Sequence, residues 1–91
     1  MTPQQYQKKI RIQLSVWAYA YEVMHDPLVS DNRFDSLAKE VDLSIPTDNP
    51  EMDSWFKDNF APFTGGWVHI HPHYNRLATI YHSCIRYRDN H

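Results

Sequence analysis

Ninety-one residues allow a single domain, with a core too small to enclose a deep active site by itself. With 42% hydrophobic and 14% aromatic residues the chain reads as folded, and a net charge of −2 makes direct binding to nucleic acid an unfavoured expectation. No signal peptide, transmembrane run or lipidation motif appears, so a cytoplasmic protein with no membrane association is expected.

The first predicted helix is long. Tyr6, Ile10, Leu14, Trp17, Tyr21 and Met24 recur at spacings of three and four and mark one apolar face. Thr2 can cap its start, Pro3 suits the first helical position, and Gln5 completes a capping-box pattern. Asp26-Pro27 ends it, because proline cannot donate to the helical ladder and restricts the residue before it. Ser30 or Asp31 then caps a second helix whose Phe34, Leu37, Ala38 and Val41 fall on one face. A short connection predicts that the two helices pack as an antiparallel hairpin.

Residues 43–49 form a polar loop ending in Asn49-Pro50, another cap-plus-proline start. A third helix from about Pro50 to Asn59 is expected to bury Met52, Trp55, Phe56 and Phe60. The segment Ala61-Pro-Phe-Thr-Gly-Gly-Trp-Val68 holds both glycines of the chain and predicts a tight or closely packed turn. The one extended pattern spans Trp67–His71, and Pro72 then opens a fourth helix with Leu77, Ile80, Tyr81 and Cys84 inward. The expected fold is all-α: a compact single domain, residues 1–91, of about four helices built on a long antiparallel helical hairpin. Residues 1–42 form the hairpin, and 43–91 add two helices joined by the Gly-Gly and histidine-rich loop.

Charge is unevenly spread. Residues 1–25 carry Lys8, Lys9 and Arg11 against Glu22, a net of +2, while residues 26–59 carry nine acids against Arg33, Lys39 and Lys57, a net of −6. Residues 60–91 return to +2 through Arg76, Arg86 and Arg88 against Asp89. A mixed solvated surface accounts for this. So does a pairing of the two terminal helices, with the acidic middle facing a cation, a basic partner or a ribose.

Two segments carry possible chemistry. In Val68-His-Ile-His-Pro-His73, three histidines alternate, and an extended backbone would project His69, His71 and His73 to one side as candidate metal ligands. Pro72 opposes that arrangement by turning His73 onto a new helix axis. Cys84 is the single cysteine, which excludes an internal disulfide or a cysteine metal cluster. The last helix mixes Tyr74, Arg76, Tyr81, Arg86, Tyr87 and Arg88, residue types enriched at binding surfaces.

The second segment runs Tyr21-Glu-Val-Met-His-Asp-Pro-Leu-Val-Ser-Asp-Asn-Arg-Phe-Asp35, followed by Ser36-Leu37. It resembles the helix–turn–helix at the N-terminus of NAD-dependent DNA ligases, over about residues 14–42. In that family a small domain grips the nicotinamide mononucleotide (NMN) half of NAD. The resemblance implies cofactor-binding roles for Tyr21, Glu22, Asp31, Phe34 and Asp35: aromatic faces stack on the nicotinamide ring, while carboxylates accept from ribose hydroxyls and the amide. Glu22 stands where the family has histidine or tyrosine and adds a charge opposed to a nearby phosphate. Phe34 stands where it has tyrosine and loses a hydroxyl. No Lys-x-Asp-Gly motif is present, so the chain is expected to be no enzyme, lacking the lysine nucleophile of ligation. The resemblance implies a non-catalytic accessory module that takes NMN or NAD. The alternative is an interaction module of phage or mobile-element type, docked on a DNA ligase or another nucleic-acid enzyme. Tyr21 and Phe34 also read as core residues, Asp31 as a helix cap and Asp35 as a first-turn acid.

Overall fold

The computed structural model describes residues 1–89 along the backbone and the side chains through Arg86; Tyr87 and Arg88 of the aromatic–arginine set lie outside the described side chains. Four α-helices follow in order: α1 (Pro3–Glu22), α2 (Asp31–Ala38), α3 (Pro50–Asn59) and α4 (Tyr74–Asp89), with a 3₁₀ helix at Gly66–Ile70. The described residues contain no strand. A Cα radius of gyration of 12.9 Å lies near the ~12 Å expected of a compact chain this long, so the helices form one body.

Local chemistry sets the helix starts. Thr2 Oγ1 accepts from the Gln5 N–H at 3.2 Å, and Gln5 Oε1 accepts from the Thr2 N–H at 2.9 Å, closing the capping box. Ser30, rather than Asp31, caps α2 by accepting from the Arg33 N–H. Asn49 caps α3 from in front of Pro50. The end of α1 comes earlier than proline alone requires. His25 takes a left-handed conformation (φ 52°), and the Asp26 N–H reaches back to the Ala20 carbonyl at 2.9 Å.

α1 is the central element, packed against α2, the 3₁₀ helix and α4. Leu14 through Ala20 are buried without a break, so this stretch has neighbours on every side rather than one apolar stripe. Small residues permit the crowding: Ser15, Ala18 and Ala20 are each at most 1% exposed, and the Ser15 hydroxyl is satisfied by the Arg11 carbonyl. Beyond the buried stretch the stripe leaves the core, and Tyr21 is 54% exposed. α2 packs against α1, but the long hairpin is not confirmed. α2 spans eight residues against the twenty of α1 and follows an eight-residue connection, so it covers only one part of the longer helix.

Two aromatic groups complete the core. Trp55, Phe56, Phe60, Trp67 and His71 surround one another with ring centroids 4.9–6.3 Å apart, spacings at which edge-to-face packing is favourable. Tyr19 meets Tyr74 and Tyr81 at 5.3 and 5.8 Å. α4 presents Leu77 and Tyr81 inward as the spacing predicts, but Cys84 is exposed. Ile85, one turn past Tyr81, still packs against the core, so Cys84 lies on the solvent side of α4.

The basic N-terminus and acidic middle do meet. Arg11 is 4% exposed and binds the Asp53 carboxylate at 3.0 Å. On the surface Lys8 pairs with Asp48, and Tyr6 donates to Glu40. α1 and α4 lie together, as the matching terminal charges allow.

Candidate functional site

The five residues of the ligase-like segment line one cleft of about 410 Å³. Helical spacing explains the convergence. Trp17, Ala18, Tyr21 and Glu22 sit one turn apart on α1, and Asp31, Phe34 and Asp35 do so on α2. The connection contributes Pro27, Leu28 and Val29, and the glycine turn closes the remaining side with Phe63, Thr64 and Gly65.

Gly65 is where two backbones come close. A Cβ placed there would lie 3.1 Å from the Ala18 Cβ and 3.4 Å from the Glu22 Cγ. Its φ of −102° is open to any residue, so contact rather than conformation demands glycine. Gly66 has only the Thr64 hydroxyl near, at 3.6 Å. Gly65→Ala is therefore expected to cost about 1–2 kcal/mol and to narrow the cleft, while Gly66→Ala leaves stability nearly unchanged. Thermal unfolding of the two variants side by side checks this; equal losses would mean that Gly65 is only a loop residue.

The cleft combines flat apolar walls with acids. Trp17 is buried in its wall, Phe34 is half-buried, and Phe63 is 85% exposed at the mouth. Arg33 lies over the Trp17 ring at 5.7 Å, within cation–π range. Glu22, Asp31 and Asp35 supply three carboxylates, and no lysine or arginine is among the lining residues. His69 Nε2 approaches Glu22 Oε2 at 3.9 Å, a loose and largely exposed contact. Asp31 is not the capping residue, since Ser30 fills that role; it is the acid of the first turn of α2.

Sequence reasoning assigned Trp17 to the core and missed Phe63 altogether. The signal for Phe63 was an apolar ring beside two glycines, in a turn too short to bury it.

The histidines do not converge. Gly66–Ile70 coils as a 3₁₀ helix instead of extending, with the Val68 N–H on the Gly65 carbonyl and the His71 N–H on the Val68 carbonyl. Burial decides this: Trp67 and Val68 are adjacent in sequence yet both inside, which an alternating strand cannot achieve. His69 faces outward near Glu22, whereas His71 packs on Trp55 at 4.9 Å. No group of three or more metal-ligating side chains is assembled among the described residues. His69, His71 and His73, candidate ligands in the sequence, are thus not brought together as one group.

His71 has another character. It is 8% exposed, and burial, helped by the neighbouring His73, pushes its pKa down to about 4. Its Nδ1 accepts from the His73 N–H at 3.0 Å, so the proton of the neutral ring sits on Nε2.

No helix among the described residues is long and apolar enough to cross a membrane. Set against known protein families, curated proteins and solved structures, the chain matches none of them.

Proposed function

We propose that this protein is a small non-catalytic binding module whose α1–α2 cleft takes a nicotinamide nucleotide, NMN or the corresponding half of NAD. The observation that supports this reading is the convergence of Tyr21, Glu22, Asp31, Phe34 and Asp35 on one cleft. An oxidised nicotinamide ring is flat and positively charged. Aromatic faces attract such a cation through their quadrupoles, and carboxylates do so directly. Asp31 and Asp35 offer acceptors to the carboxamide N–H₂ and the ribose hydroxyls. With no cation in the lining, the phosphate lies outside the cleft, toward solvent, where Glu22 repels it least.

Amide NMR titration of the labelled protein with NMN, NAD and ATP tests the reading. Saturable shifts on Tyr21, Glu22 and residues 31–35 are expected from the nicotinamide nucleotides and not from ATP. Asp31→Ala and Asp35→Ala each raise Kd by about tenfold, as loss of a charge-assisted hydrogen bond does, and leave the unliganded fold intact. Silence to millimolar ligand would remove the proposal.

A second reading rests on Phe63, an almost fully exposed ring beside the half-exposed Tyr21. Exposed aromatics of this kind anchor protein partners, so the same mouth would dock on a DNA ligase or another nucleic-acid enzyme. Phe63→Ala separates the two: it abolishes docking while leaving nucleotide shifts in the depth of the cleft.

A further inference from the structure

A second cavity, of about 280 Å³, shares no residue with the cleft. Lys8, Arg11, Ile12 and Ser15 of α1 form one wall. The α3 side adds Met52, Asp53 and Phe56, and α4 adds Arg76, Leu77 and Ile80. His71 and His73 close the end between them.

The charges in this cavity do not cancel. Asp53 is its one acid, and both carboxylate oxygens are already engaged: Oδ1 by Arg11 and the Thr47 hydroxyl, Oδ2 by the Thr47 N–H. Arg11 is thereby neutralised. Lys8 is tied to Asp48 by a pair exposed on both sides, which exchanges readily with another anion. Arg76 is exposed and makes no ion pair among the described residues. His71 adds a directed donor, because Nδ1 is occupied and Nε2 carries the proton with no acceptor among the described residues. Most of the remaining surface is apolar, from Ile12, Met52, Phe56, Leu77 and Ile80, with Ser15, Thr47, Asn49 and His73 adding polar groups.

We propose that this cavity is a binding site for a small organic monocarboxylate with an apolar body, held by Arg76, Lys8 and the His71 Nε2–H over a floor of Phe56 and Leu77. The argument is charge complementarity joined to shape. The volume falls just under the ~300–1,000 Å³ of drug-sized sites, which limits the body to a single ring or a short chain. A mainly apolar pocket with a few convergent donors is the usual form of such sites. Arg76, Lys8 and the His71 Nε2–H all donate, which favours an anion over a cation. The cleft reading plays no part in this assignment.

Titration of the full labelled chain with benzoate, hexanoate, benzamide and inorganic phosphate tests it by amide NMR. Saturable shifts on Ile12, Phe56, His71 and Leu77 are expected with benzoate or hexanoate; whichever binds tighter identifies the body as ring or chain. Benzamide, equal in shape to benzoate but uncharged, binds at least about tenfold more weakly. Arg76→Gln raises the carboxylate Kd by about tenfold with an unchanged melting temperature, since Arg76 is a surface residue. Ile12→Asp places a like charge at the rim and abolishes binding. Equal affinity for benzoate and benzamide, phosphate binding as tight as benzoate, or silence to millimolar carboxylate would each overturn the proposal.

Discussion

Arg11→Met is expected to lower the unfolding free energy by about 3–5 kcal/mol, a large part of the ~5–15 kcal/mol that holds a domain together. The loss comes from what the guanidinium leaves behind. Its Nη1 donates to Asp53 at 3.0 Å; its Nη2 donates to the Asp42 and Ile45 carbonyls at 2.8 and 2.9 Å and to Gln7 Oε1 at 3.3 Å. Residues 40–49 contain no regular helix of their own, so they hold their path through these bonds. Gln7 reinforces them by donating to the Glu40 carbonyl and accepting from the Asp42 N–H. A methionine of similar length fills the space but leaves a carboxylate and two carbonyls facing an apolar chain. Only Arg11 Nε is already without a partner, so little is recovered by removing it.

Lys8→Met is the internal control. Lys8 also pairs with an acid, Asp48, at 2.9 Å, but both side chains are exposed, at 48% and 71%. Its loss is expected to cost less than about 1 kcal/mol. Urea unfolding followed by circular dichroism compares the two. Equal losses would show that the Arg11 network is no more than a surface ion pair.

Acidification is expected to remove about 2 kcal/mol of stability between pH 7 and pH 5 through His71 alone. The folded pKa lies near 4 against an unfolded value of 6.5. Between those values the unfolded chain binds a proton at this position and the native chain does not. Stability therefore rises with pH across that window and falls as the solution is acidified. Burial is the main cause, and His73 beside the ring also opposes its charging; Lys8, Arg11, Arg76 and Asp53 are the other charged groups lining the same cavity.

His71→Phe keeps an aromatic against Trp55 and flattens this part of the pH profile, isolating His71 from the other histidines of the chain. Melting temperatures of the wild type and variant at pH 7 and pH 5 give the test. A wild type as stable at pH 5 as at pH 7 would contradict it. A second loss follows at lower pH. Burial tends to raise the Asp53 pKa, but hydrogen bonds from Thr47 and the Arg11 charge outweigh it and hold the value below the usual carboxylate range. That contribution is present above the unfolded carboxylate value and disappears only as the pH falls through the lower, folded one.

The two binding regions were not equally legible. Tyr21, Glu22, Asp31, Phe34 and Asp35 were named together through the ligase resemblance, and the packing of α1 against α2 decided that they line one cleft. Phe63 joins them through a turn and carries no periodic signal. The second cavity draws Lys8 and Arg11 from one end of the chain and His71 and Arg76 from the other. No short-range pattern links such distant positions.

What the amino-acid sequence determined by itself is the all-α class and the starts of α1 and α3, because capping is a matter of three or four consecutive residues; it left Ser30 and Asp31 open for α2 and set the start of α4 at Pro72 where the helix begins at Tyr74. Thr2 with Gln5, Ser30 before α2 and Asn49 before Pro50 satisfy their own N–H groups wherever the helix lies. Only the tertiary structure decided that Arg11 is buried, that Cys84 is exposed and that Trp67–Ile70 coils rather than extends. Burial depends on which elements arrive from elsewhere in the chain. Arg11 goes inside because residues 42–53 bring it acceptors, Cys84 stays outside because α4 turns Ile85 rather than Cys84 toward the core, and Trp67 and Val68 turn in together because α1 and α3 both offer them apolar surface.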